Sequence, residues 1–145
     1  MTPVNTEIVT RLFTEMEQAV AKLRSSAALS QDEFLSDSKY YDSAKYNLIV
    51  AVEALIDLCN HIIAQERLGK PEEYADVLRI IGARLSLGAD FMMRLEKMAK
   101  FRNLIVHLYW KVDNADVYKI LKNNMDDFDI IKKALSKYMT HQGKK

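Results

Sequence analysis

Apolar residues recur along most of this chain at the three- and four-residue spacing of an amphipathic helix. Ile8, Leu12, Met16, Ala19, Val20 and Leu23 form one such stripe. It predicts a first helix from about Asn5 or Thr6, either a suitable N-cap, to about Ser25. The stretch "SQDE" pairs Ser30 with Glu33 three residues on, a capping-box pattern that opens a short helix. Then comes the longest periodic segment, about Ser38 to Leu68, closed by Gly69. Within it "NLIVAVEALIDLCNHII" is apolar on most sides, the mark of a central helix packed by several neighbours. Pro71 in a first turn, with Glu72 and Glu73 behind it, opens another helix. Gly82 and Gly88 flank a break around "ARLSLG". A further helix is expected from about Asp90 to Trp110, and two shorter ones over about Ala115–Asn123 and Asp127–His141. "HQGKK" reads as a frayed tail. Short connections favour antiparallel neighbours. The expectation is therefore an all-α fold: one domain spanning residues 1–145, an up-and-down bundle of about five or six helices.

Composition sharpens that picture. The 145 residues are 49% hydrophobic and 28% charged, with 4 Gly and 2 Pro, which suits a globular helical domain. The formal net charge of +1 gives no general bias toward nucleic acid or anionic membrane, so any such contact must come from a local patch. The single Cys59 sits in an apolar helical stretch and reads as packing, which fits a reducing compartment. The N-terminus lacks the basic and apolar regions of a secretory signal, and no stretch reaches the roughly 18–20 apolar residues of a membrane span. A cytoplasmic protein without membrane contact is expected. Asp57 and His61, four apart, form a helix pair more readily than a metal site, so no metal and no cofactor are expected. Tyr40, Tyr41 and Tyr46 read as core or groove residues.

The most apolar segment holds the chemistry. "FRNLIVHLYW" places Arg102, Asn103 and His107 among Phe, Leu, Ile, Val, Tyr and Trp. At about 100° per residue, Met98, Phe101, Leu104, Ile105, Leu108 and Tyr109 fall on one arc, the core face. Leu95, Ala99, Val106 and Trp110 fall on a second arc, bordered by Arg102 on one side and by the Asn103–His107 stripe on the other. A helix with two apolar faces needs two partners, and Leu95, Ala99, Val106 and Trp110 are expected to be a dimer interface. Tyr109 projects close to Arg102, so its phenol should border the same cleft. Taken singly, a His on a helix is usually a satisfied residue and an Arg usually a solvated one.

In combination they match a pattern. Arg102, four residues, His107, one residue, Tyr109 is the Arg-x4-His-x-Tyr motif, and "MAKFRNLIVHLYWKVD" resembles the HepT-type toxins of the HEPN ribonuclease superfamily. Asn103 after the Arg, the motif's position late in the fourth long helix, and the chain length fit as well. The N-terminal half is similar mainly in pattern, with Glu53, Asp57 and "HII" late in the long helix. The resemblance implies a homodimer with both motifs at one cleft, a metal-independent endoribonuclease acting on an RNA substrate, and a small nucleotidyltransferase antitoxin, MntA. It also implies AMP transfer to Tyr109.

The residue types suit such chemistry. Imidazole titrates near neutrality, so His107 can take a proton from the 2′-OH or give one to the leaving 5′-oxygen. Arg102 offers a planar, permanently charged fork to the scissile phosphate, and Asn103 can orient His107 or bind a phosphate oxygen. Lys97, Lys100 and Lys111 add local positive charge for the RNA backbone, with Lys97 snorkelling outward from the core arc. Two other readings use the same residues. One is a non-catalytic helical module that binds a nucleotidyltransferase or a nucleotide. The other is a purely structural dimer.

Overall fold

Local capping starts the helices where the sequence asks for it. In the computed structural model, which describes residues 5–143, Asn5 Oδ1 accepts the Ile8 amide at 3.1 Å and begins α1 (Thr6–Ala27). Ser30 Oγ accepts the Glu33 amide at 3.1 Å and begins α2 (Gln31–Ser36). Asp37 accepts the Lys39 amide at 2.9 Å and begins α3 (Ser38–Glu66). The remaining helices are α4 (Tyr74–Leu85), α5 (Ala89–His107), α6 (Asn114–Asn123) and α7 (Met125–Gly143), so the described residues hold seven α-helices. Pro3, Lys144 and Lys145 lie outside the described residues.

Several boundaries differ from expectation. Arg67, in the left-handed region at φ 54°, ends α3 ahead of Gly69, and the Leu68 amide closes on Ile63 O at 3.0 Å. Pro71 stays outside α4, which begins at Tyr74 once Asp76 has accepted the Glu73 amide at 3.2 Å. Gly82 lies inside α4 rather than at a break. A Cβ there would run into the side chain of Met92, so the missing side chain sets the approach of α4 to α5. The turn itself falls at Ser86, whose φ is 55°.

α3 is the axis of the bundle. Thirteen of its residues are buried, from Ala44 to Ile63. It carries an 18-residue window of mean hydropathy 1.6, long and apolar enough to cross a membrane, where no such run was expected. Its apolar surface is instead covered by α1, α4 and α5. Burial pushes the Cys59 thiol up to about 12, which makes it an inert core residue. α5 runs antiparallel to α3: Arg102 meets Glu53, and Tyr109 meets Asp42. α7 closes the bundle. Asp127, nearly buried, receives Arg94 of α5 at 3.2 Å, and Arg24 of α1 reaches Asp126 and Asp129 at 3.1 and 2.6 Å. α2 buries Phe34 against Tyr118 of α6, ring centroids 5.3 Å apart.

Candidate functional site on the seam of α3 and α5

α5 ends at His107. Leu108 leaves the helical region at φ −137° and ψ 52°, and Tyr109–Lys111 form a 3₁₀ turn. The burial of Val112 behind this turn draws the chain off the helix axis. The two-arc projection therefore holds only as far as His107. Tyr109 and Trp110 do not continue it.

The first turns of α5 also differ from expectation. Leu95 and Ala99 are 2% and 3% exposed and belong to the main core, because α3 and α4 enclose this half of the helix and Arg94 is tied to α7. They are not interface residues. Val106 and Trp110 are exposed, Trp110 by 75%. Lys97, Lys100 and Lys111 are exposed, and Lys97 stands clear of the core arc on which it was placed. Tyr46 is 65% exposed and is no core residue, whereas Tyr40 and Tyr41 are half-buried.

Arg102 is held firmly. Its Nη2 donates to Glu53 Oε2 at 2.6 Å and its Nη1 to Asn103 Oδ1 at 3.0 Å. Its guanidinium lies 4.9 Å from the centroid of the Tyr74 ring, and the Tyr74 hydroxyl donates to Glu53 at 3.0 Å. The Arg102 side chain is 14% exposed, and its Nε is buried without an acceptor. An unmatched donor of this kind is costly, and such groups concentrate at functional sites. Burial and the Glu53 bond raise the Tyr74 phenol. Burial also raises the nearby Asp57 carboxyl, with further contributions from Glu53 and Glu15. Asp57 does not pair with His61. The Nε2 of His61 accepts the Asn5 amide at 3.1 Å instead. Among the described residues no group of three His, Cys, Asp or Glu side chains could hold a metal ion.

Tyr109 does not border Arg102. Its hydroxyl donates to Asp42 Oδ1 at 2.5 Å. Asp42 precedes Glu53 by eleven residues, so the two lie on one face of α3, about 16 Å apart along its axis. Beneath the Tyr109 ring lies Lys45, 4% exposed, with its Nζ 4.2 Å from the ring centroid and 4.0 Å from Asp42. Burial lowers the Lys45 ammonium, and Asp42 opposes that shift. Burial first, and then the bond to Asp42, pushes the Tyr109 phenol up to about 12. The exposed His107 lies between these two ends, on one stripe with Asn103.

Sequence reasoning missed Asp42, Lys45 and Tyr74. A signal for Asp42 was present. Residues 42, 46, 49, 53 and 57 form one stripe of α3, on which the carboxylates Asp42, Glu53 and Asp57 recur, while Lys45 lies off it. Tyr74 carries no such mark, because its role comes from the way α4 is laid over Glu53.

An all-helical bundle, with an oriented Arg and an exposed His on the open end of one seam, defines the class. The chain belongs to the HepT-like family (ribonuclease HepT-like), whose profile matches residues 16–135. It is similar to the mRNA nuclease HepT of Shewanella oneidensis, with 31% identity over 97 residues that cover 67% of this chain and 73% of the relative. Its fold matches that of a tri-AMPylated HEPN toxin of the same organism, solved in complex with an MNT antitoxin. That match has a TM-score of 0.82 at 23% identity and covers 91% of this chain and 98% of the toxin. YutE of Bacillus subtilis, a cytosolic protein of unknown function, matches at a TM-score of 0.84 and 16% identity, covering 98% and 95% of the two chains.

Proposed function

We propose that this protein is a metal-independent endoribonuclease, the cytoplasmic toxin of a toxin–antitoxin pair, and that a nucleotidyltransferase antitoxin silences it by adding AMP to Tyr109. One observation carries the reading: a permanently charged Arg102, oriented by Glu53 and Asn103, stands five residues before an exposed His107. His107 of one subunit takes the proton of the 2′-OH as that oxygen attacks phosphorus. His107 of the second subunit protonates the departing 5′-oxygen. Arg102 balances the charge that develops on the phosphoryl oxygens.

A dimer supplies what one chain lacks. Arg102 and His107 are about 140° apart around α5 and about 7.5 Å apart along it, so one chain presents them in different directions. Exposed Tyr46, Val106 and Trp110 give the apolar surface that a second copy would cover. Lys97, Lys100 and Lys111 provide backbone contacts to RNA. An adenylate on Tyr109, two residues beyond His107, adds charge and bulk at the mouth of the cleft.

The test is cleavage of RNA by the purified protein with EDTA present. Wild type cuts, and Arg102→Ala and His107→Ala do not. A folded, dimeric wild type that cuts no RNA favours the non-catalytic binding module instead.

A further inference from the structure

Three tyrosines of the described structure bond to carboxylates, and the carboxylates are not equivalent. Tyr74 shares Glu53 with Arg102, whose guanidinium takes up the same carboxylate. Tyr138 meets Glu66 and also accepts from Arg84 at 3.2 Å. No guanidinium joins the third pair. Asp42 is exposed, its Oδ1 receives the Tyr109 hydroxyl at 2.5 Å, and the nearest cation, Lys45 Nζ, stays 4.0 Å away. Tyr109 is 39% exposed, and the ammonium of the buried Lys45 lies 4.2 Å from its ring centroid. The outcome is an accessible phenol whose proton already points at a carboxylate that no other strong donor engages. A phenol is a weak nucleophile until a base removes its proton. A positioned carboxylate does this for hydroxyl acceptors in phosphoryl transfer.

We propose that Asp42 is the catalytic base for nucleotidylation of Tyr109, so that the toxin supplies part of the active site that silences it. This rests on the reading of Tyr109 as the modified residue. Tyr109 Oη attacks the α-phosphorus of a nucleoside triphosphate held by the partner enzyme. The new O–P bond forms as the bond from that phosphorus to the bridging oxygen breaks, pyrophosphate leaves, and the phenolic proton passes to Asp42. The ester oxygen of the product can no longer donate to Asp42. Its phosphodiester also repels that carboxylate, so the modified turn loses its only hydrogen bond to α3 through Tyr109.

The experiment reconstitutes the full chain with its nucleotidyltransferase and MgATP and follows intact mass with time. Asp42→Asn should slow the gain of AMP by about 10²-fold or more, with the KM for ATP and the affinity for the partner enzyme at their wild-type values. Asp42→Glu should recover a measurable part of the rate, which a purely structural role would not. Circular dichroism and thermal melting check that both variants fold. Asp42→Asn modified at the wild-type rate overturns the role of Asp42 and leaves modification of Tyr109 standing. A folded wild type that binds the enzyme and gains no mass overturns both.

Discussion

Arg102 and Tyr109 are seven residues apart, and each is held by a carboxylate of α3, but the two holds differ in kind. Arg102 is nearly buried, bonded to Glu53 and Asn103, stacked on Tyr74, and carried by a helix whose earlier turns lie in the core. Tyr109 hangs on a three-residue turn by one hydrogen bond to an exposed Asp42. The first arrangement fixes a cation for repeated use. The second presents a hydroxyl that can leave its partner once. Under the proposed function, the demands of rigidity for chemistry and openness to control are divided along one seam.

The largest effect that would break this contrast is on catalysis. His107→Ala is expected to lower RNA cleavage by about two to four orders of magnitude with an unchanged melting curve. Near-normal cleavage by the folded variant removes the acid–base assignment. The next test compares the buried and open halves of α5. Leu95→Ala should cost about 2–5 kcal/mol of unfolding free energy in denaturant melts. Trp110→Glu should shift the fold by about 0.5 kcal/mol or less yet give monomers by light scattering, because a charge at an interface centre finds no partner. A smaller difference separates the two carboxylates. Glu53→Gln strips a charged acceptor from Arg102 and should cost about 1–3 kcal/mol, while Asp42→Asn should stay within about 0.5 kcal/mol. Equal losses at both positions would erase the distinction.

The smallest effect is on titration. The folded Tyr109 phenol, at about 12, lies above its ordinary value of 10.0. Its neutral form is therefore the one the fold favours. The resulting stability is complete below about pH 10 and is lost as pH rises through about 12. Tyrosinate absorbance should show this group ionising late in wild type, together with the raised Tyr74 and Tyr138, and the late component should shrink by one tyrosine in Tyr109→Phe and in part move toward 10 in Asp42→Asn.

Much of this was legible in the residues themselves. Asn5 and Ser30 cap the helices they were expected to cap, and the stripe from Leu12 to Leu23 is buried as a unit. Periodicity and side-chain hydrogen-bonding capacity are local properties, so they can be read from the chain. The end of α5 could not. No Gly or Pro marks Leu108, and nothing local tells the helix to stop before Trp110. The stop comes from Val112 entering the core and Tyr109 reaching Asp42, contacts made across the fold. The same reason hid the burial of Leu95 and Ala99. Rotation about an axis assigns two arcs, but only the placement of α3 and α4 decides which of them meets water. Arg102, Asn103 and His107 stand out in the sequence as polar groups within an apolar segment. Glu53 was noticed only as part of a pattern, and its grip on Arg102 required the antiparallel pairing of α3 with α5.

The tie between Arg94 and Asp127 has a consequence in time. Asp127 follows Arg94 by 33 residues, and its nearly buried carboxylate is what fastens α5 against the last helix. A ribosome adds about 5–20 residues per second, so Arg94 is synthesised roughly 2–7 s before its partner exists. During that interval the helix bearing Arg102 and His107 lacks its outer clamp, and a chain truncated before α7 never gains it. Completion of translation is thus a checkpoint for α5, and premature termination yields a fragment in which that helix lacks its clamp.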